Sequence, residues 1–133
     1  MRRKSLIIAS LAAALILLAS CQSVSDSTIV TVGSDRIPAL YTAVGEREII
    51  GRESTDRRTA LTYQGVSQSD LNAYVSALQK DGFSVTSNNG DKLQLAKESV
   101  TEGQVVLVSL EVPRNNSATI IYAVASGSLR KNG

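Results

Sequence analysis

The chain has 133 residues, with no histidine, no tryptophan, one cysteine, four tyrosines and one phenylalanine. That composition removes the commonest metal ligand and neutral-pH proton carrier, argues against an aromatic stacking platform, and rules out an internal disulfide. The net charge of +2 also misleads: residues 1–20 hold three of the 14 basic side chains and none of the 12 acidic ones, so the remainder carries 11 against 12, or −1, and lacks the basic footprint of a nucleic-acid binder.

In chain order, Arg2-Arg3-Lys4 comes first, followed by an almost unbroken apolar run over residues 6–19. This is the layout of a secretory signal: a basic start, a short apolar stretch, and small residues before a cut site. The run is about 14 residues long, short of the roughly 20 that span a hydrocarbon core, so a permanent transmembrane helix is not expected. Arg2-Arg3 lacks the flanking residues of a twin-arginine signal and reads as a plain basic start. Leu18-Ala19-Ser20-Cys21 closes the segment.

Those four residues resemble the lipobox of bacterial lipoproteins, with Ser20 an accepted variant where Gly or Ala is commoner. The resemblance covers residues 1–21 only, and the domain beyond is assigned to no characterised family. It implies that the Cys21 thiol takes a diacylglyceryl group, that residues 1–20 are cut away, and that the new amino terminus is acylated with a fatty acid such as palmitate. Buried acyl chain contributes about 0.8 kcal/mol per CH₂, so one chain holds a protein marginally and two hold it stably. Gln22 is not the Asp that retains enteric lipoproteins at the inner membrane. The implied location is therefore the outer membrane of a two-membrane cell, or the outward face of a single cell membrane. The plainer alternatives for Cys21 are a free thiol or half of an intermolecular disulfide.

Residues 22–28 are small and polar, the composition of a spacer. Residues 29–32 fit a short edge strand broken at Gly33-Ser34-Asp35, and Pro38 begins a turn or short helical stretch. The expected division is a signal peptide at 1–20, a lipidated Cys and flexible tether at 21–36, a single α+β domain at 37–126, and a loose tail at 127–133.

Residues 46–53 and 58–64 read as strands about a turn at 54–57, with Thr59, Leu61 and Tyr63 on one face. Arg47, Arg52, Arg57 and Arg58 are interleaved with Glu46, Glu48, Glu53 and Asp56, a solvated face more readily than a site for an acidic ligand.

A helix is expected over residues 68–80. Ser67 and Asp70 open it as a capping box, Val66 and Leu71 stand where a hydrophobic staple closes, and Leu71, Tyr74, Val75 and Leu78 share one face. Gly82 and Phe83 end it in a Schellman arrangement with Leu78. A hairpin follows, with its turn at Asn89-Gly90. Residues 104–112 and 118–124 are two further strands joined by a loop at 113–117. Their pairing sets Val106, Val108, Leu110 and Val112 opposite Val124, Tyr122, Ile120 and Ala118, where the helix should dock. The fold class is α+β, one helix on an antiparallel sheet of about five or six strands.

The opposite face of that strand pair carries Leu107, Ile121 and Ala123. Either residues 29–40 fold back over it, or it is a face for a partner.

No catalytic or metal site is spelled. Ser128-Leu129-Arg130-Lys131 has S-x-x-K spacing in a polar tail rather than at the start of a buried helix. Glu98 and Glu102 flank a turn, and nothing places them across a cleft. Asn88-Asn89-Gly90-Asp91 lacks the spacing and terminal Glu of a calcium loop. The sequence therefore points to a lipid-anchored envelope protein with a small non-catalytic binding or accessory domain and no cofactor. It would touch the membrane through Cys21, and an envelope protein or small ligand through the domain, with no role for nucleic acid. The alternatives are a carboxylate-dependent cell-wall or peptide hydrolase and a purely structural spacer.

Overall fold

The computed structural model describes residues 28–129, so Leu18, Ala19, Ser20 and Cys21 lie outside the described residues. Within them are strands β1 (Ile29–Val32), β2 (Asp35–Pro38), β3 (Ile49–Ser54), β4 (Arg58–Gln64), β5 (Ser84–Asn88), β6 (Lys92–Glu98), β7 (Gln104–Glu111) and β8 (Ser117–Ser126). Two helices complete the set, α1 (Tyr41–Val44) and α2 (Gln68–Lys80). Strands β3 to β8 form one antiparallel sheet in the order β3-β4-β8-β7-β6-β5, and β1 and β2 form a separate hairpin. The fold is α+β, with six strands in the sheet, two more in the hairpin, and one more helix than the sequence indicated.

Helix α2 forms where its ends specify. Ser67 accepts the Asp70 N–H at 3.2 Å and Asp70 accepts the Ser67 N–H at 3.1 Å, a complete capping box. At the other end the Phe83 N–H donates to the Leu78 carbonyl and the Gly82 N–H to that of Gln79, with Gly82 at φ 106°. That left-handed conformation suits glycine because a side chain there would crowd its own backbone.

The helix carries the chain from β4 to β5, four strand spacings away. At about 4.8 Å each this is roughly 19 Å, and 13 helical residues span about 20 Å. One crossing of the sheet therefore uses the whole helix, which lies on one face and buries Leu71, Tyr74 and Leu78 there.

Beneath it the strands alternate as expected. Val106 pairs with Val124, Val108 with Tyr122 and Leu110 with Ile120, all buried, and Thr59, Leu61 and Tyr63 of β4 extend the same surface. Burying each such aliphatic side chain contributes roughly 1.5–3 kcal/mol.

The β1–β2 hairpin covers the part of this face that the helix leaves open. Val30, Val32, Ile37, Ala39 and Leu40 join the same core as Leu78, Val108 and Tyr122. The Tyr74 hydroxyl donates to the Pro38 carbonyl at 2.6 Å, and Gly33 passes close to the Val124 side chain. The buried Asp35 carboxylate accepts the Ser99 hydroxyl at 2.5 Å and the Val100 N–H at 2.9 Å, tying the hairpin to the β6–β7 loop.

Several local expectations change. Residues 29–36, read as tether, belong to the folded body, because Val30 and Val32 are buried. Pro38 ends a strand rather than starting a helical turn, and α1 begins at Tyr41. The β5–β6 reversal sits at Gly90-Asp91, one residue later than the Asn-Gly pair, because Asn89 Oδ1 takes over as acceptor for the Asp91 and Lys92 N–H groups. Residues 127–129 of the expected loose tail are held: Gly127 N–H donates to the Gly103 carbonyl, and Glu98 accepts the Leu129 N–H at 2.6 Å and the Ser128 hydroxyl at 3.3 Å.

The β7–β8 reversal is tighter than the five-residue loop expected. Arg114 and Ser117 exchange two backbone hydrogen bonds around Asn115 and Asn116, at φ 52° and 62°. Asparagine tolerates that left-handed geometry better than most residues do. The Asn116 carbonyl then accepts the N–H groups of Gly65 and Val66, which seats this turn on the β4–α2 connection.

Candidate functional site

Leu107, Ile121 and Ala123 lie together on the sheet face opposite α2. Leu107 pairs with Ala123, Ser109 with Ile121, and on the β4 side Ala60 with Ile121. All three are half-buried. The hairpin does not cover them, since residues 29–40 pack on the helix side. Next to Ile121 a shallow depression of about 450 Å³ runs over Gly51, Glu53, Arg58, Ala60, Thr62 and Thr119.

A larger cleft, of about 500 Å³, opens between the N-terminal hairpin and edge strand β3. Val30, Ala39, Leu61 and Tyr63 give it apolar walls, and Glu46, Arg47, Glu48 and Arg52 line it as well. The cleft exists because β3 has a neighbour on one side only, while the hairpin packs across the core beside it rather than extending the sheet.

Arg47 is built into the cleft's frame. It donates to the carbonyls of Gly65 (3.0 Å), Val44 (3.0 Å) and Glu46 (2.9 Å), and lies 3.4 Å from Asp70. One guanidinium thus ties α1 to the start of α2 through four of the five N–H donors of its fixed fork. The Ser67 N–H holds the Asp70 carboxyl below its ordinary value; burial opposes it, and the Arg47 guanidinium adds to the lowering. Arg58 behaves as a solvated face predicts: it meets Glu53 at 4.0 Å with both side chains well exposed, a pair of little energetic consequence.

Tyr63 in the cleft wall and the fully buried Tyr74 and Tyr122 are tyrosines that sequence patterning marked only as core. Tyr74 and Tyr122 hydroxyls are 2.8 Å apart. Burial pushes all three phenols up from their ordinary value, Tyr74 and Tyr122 furthest. Each stays a neutral hydrogen-bonding group through the physiological range.

Of the remaining candidates, Glu98 pins residues 128 and 129, and Glu102 sits exposed in the β6–β7 loop. Asn88 and Asn89 spend their side-chain oxygens on the turn's own N–H groups. Lys131, the S-x-x-K partner of Ser128, lies outside the described residues. Among the described residues no group of three or more acidic or cysteine side chains could hold a metal ion, and no helix is long and apolar enough to cross a membrane.

The sequence did carry one sign of the cleft. Ile49-Ile50, two bulky apolar residues in succession amid charges, breaks the two-residue period of a half-buried strand, and the register slips there, between Ile49 and Gly51. Compared with known proteins, the chain matches no family model, no curated protein and no solved structure.

Proposed function

We propose that the chain is a cell-envelope lipoprotein, anchored through a diacylglyceryl group on Cys21, whose small domain works by binding a protein partner or a small ligand. The anchor is supported by Arg2-Arg3-Lys4, the apolar run over residues 6–19 and Leu18-Ala19-Ser20-Cys21, three features that together make one export and lipidation signal. The single observation that carries the binding role is the cleft between the hairpin and β3. Its volume of about 500 Å³ falls within the roughly 300–1,000 Å³ of small-ligand sites, and it combines apolar walls with a few charged groups able to orient what enters. The face of Leu107, Ile121 and Ala123 is the weaker second surface for a partner. In a two-membrane cell the outer membrane is the favoured location.

Two measurements test this. Cells expressing the protein should incorporate labelled palmitate into it, and the Cys21→Ser variant should incorporate none. An intact leader, or an unmodified Cys21 in the purified protein, would end the anchor reading. Crosslinking in the native envelope should capture a partner or ligand that the Arg52→Glu variant loses. The competing hydrolase reading draws on Glu46 and Glu48, which line the same cleft. It would replace binding if cell-wall fragments were cleaved by the protein and spared by the double variant Glu46→Gln, Glu48→Gln.

A further inference from the structure

The distance between the lipid and the folded body is short. Residues 22–27 alone separate Cys21 from Thr28, whose carbonyl already accepts the Ala39 N–H at 2.9 Å. From Cys21 to Thr28 is seven peptide steps, a reach of at most about 25 Å even fully extended. A domain of about 100 residues has a radius of gyration near 13 Å, so it is wider than this tether is long. The surface around the start of β1 is therefore the one held nearest the bilayer.

That surface sets exposed apolar side chains among charged and polar ones. Ile29, the first residue of β1, borders the same cleft as Tyr41 and Ile49. Among the described residues seven large hydrophobic side chains are exposed; two of them, Tyr41 at 38% and Ile49 at 37%, line this cleft, and a third, Ile50 at 52%, follows Ile49 in β3. The slip in register between Ile49 and Gly51 leaves Ile50 without a partner on β4. Around them Arg47 and Arg52 are matched in number by Glu46 and Glu48, so the patch carries no net charge and gains nothing from anionic lipid. A tyrosine beside aliphatic side chains suits the boundary between headgroups and acyl chains, with an apolar ring and a polar tip.

We propose that this end of the domain rests on the bilayer, with Ile49 and Ile50 dipping to the level of the lipid headgroups and Tyr41 beside them. The occupant of the patch is the phospholipid interface of the membrane that carries the anchor. The inference rests on the lipidation of Cys21 proposed above. It adds an orientation: the cleft opens toward the membrane, within reach of a ligand that lies at the lipid surface.

The test uses the full lipidated protein in zwitterionic phosphatidylcholine vesicles. Cys21 is the only cysteine, and its thioether blocks it, so Ile50→Cys, Tyr41→Cys and Val85→Cys each offer one thiol to an environment-sensitive fluorophore. Val85 is exposed on β5 at the far edge of the sheet, five strand spacings or roughly 24 Å from β3. Quenchers carried on the lipid should quench the labels at positions 41 and 50 at least threefold more than the label at 85, at low and high salt alike. Equal quenching at the three positions, or stronger quenching at 85, overturns the orientation. If the wild-type protein itself takes the label at Cys21, the anchor fails and the orientation with it, an outcome distinct from the first.

Discussion

The Tyr74 and Tyr122 hydroxyls meet at 2.8 Å in the middle of the core, one from the helix and one from the central strand. The Tyr74 proton is committed to the Pro38 carbonyl, so the Tyr122 hydroxyl is the donor between them. The chain of donors thus joins sheet, helix and N-terminal hairpin.

Removing the middle of that chain should cost more than removing its end. Tyr74→Phe leaves the Pro38 carbonyl and the Tyr122 hydroxyl without their partner and should destabilise by about 1–3 kcal/mol. Tyr122→Phe leaves the Tyr74–Pro38 bond intact and should cost about 1 kcal/mol. Urea unfolding of both single variants and the double variant checks this. The double variant should be less destabilised than the sum of the two, because the residues share one bond.

Alkaline solution should unfold the protein through the same group. Burial raises the pKa of Tyr63, Tyr74 and Tyr122 above the unfolded value near 10. Below that pH both states keep their phenolic protons, and the contribution to stability is constant. Above it the unfolded chain releases protons that the folded chain retains, so stability falls as pH rises toward the folded values. Unfolding free energy should be flat through neutrality and drop from about pH 10 upward, less steeply in Tyr74→Phe.

Asp35→Ala should loosen the hairpin before it unfolds the domain. It strips the acceptor from the Ser99 hydroxyl and the Val100 N–H, a loss of about 1–3 kcal/mol. In hydrogen exchange the amides of β1 and β2 should lose protection more than those of β7 and β8. Uniform loss across all strands would mean that the hairpin has no independent motion.

Ser67→Ala removes one half of the capping box and should cost about 1 kcal/mol, read as a lower urea midpoint at unchanged slope. At acid pH the Ser67–Asp70 pair adds a second signature. The carboxyl of Asp70 has a lowered folded pKa, so its contribution is present above the unfolded value near 3.8 and fades as pH falls through the folded one. Asp70→Asn should flatten that acid limb.

Helix α2 was legible because everything that fixes it lies within 20 residues: Ser67 and Asp70 at one end, Gly82 and Phe83 at the other, Leu71, Tyr74 and Leu78 between. The β7–β8 register was legible for the same reason, a short turn fixing which side chains oppose. The position of residues 29–40 was not. Central strands β7 and β8 are apolar on both faces, Val106 and Tyr122 on one, Leu107 and Ile121 on the other. Periodicity therefore cannot say which face a distant segment covers. The decisive contacts, Pro38 to Tyr74 and Asp35 to Ser99, join residues 36 and 64 positions apart. The cleft was hidden differently, since Glu46, Arg47, Glu48 and Arg52 spell an ordinary wet surface until the fold sets them beside Val30 and Leu61.

Strand β8 is last in sequence yet lies between β4 and β7. A nascent chain emerges amino end first, so β3–β4 and β5–β6–β7 appear as two unjoined pieces, each lacking the neighbour that would cover its inner edge. The stitch between them is supplied by the final strand alone. A chain cut at residue 116 would leave both pieces open-edged, so the sheet closes only when the residues of β8 are in place.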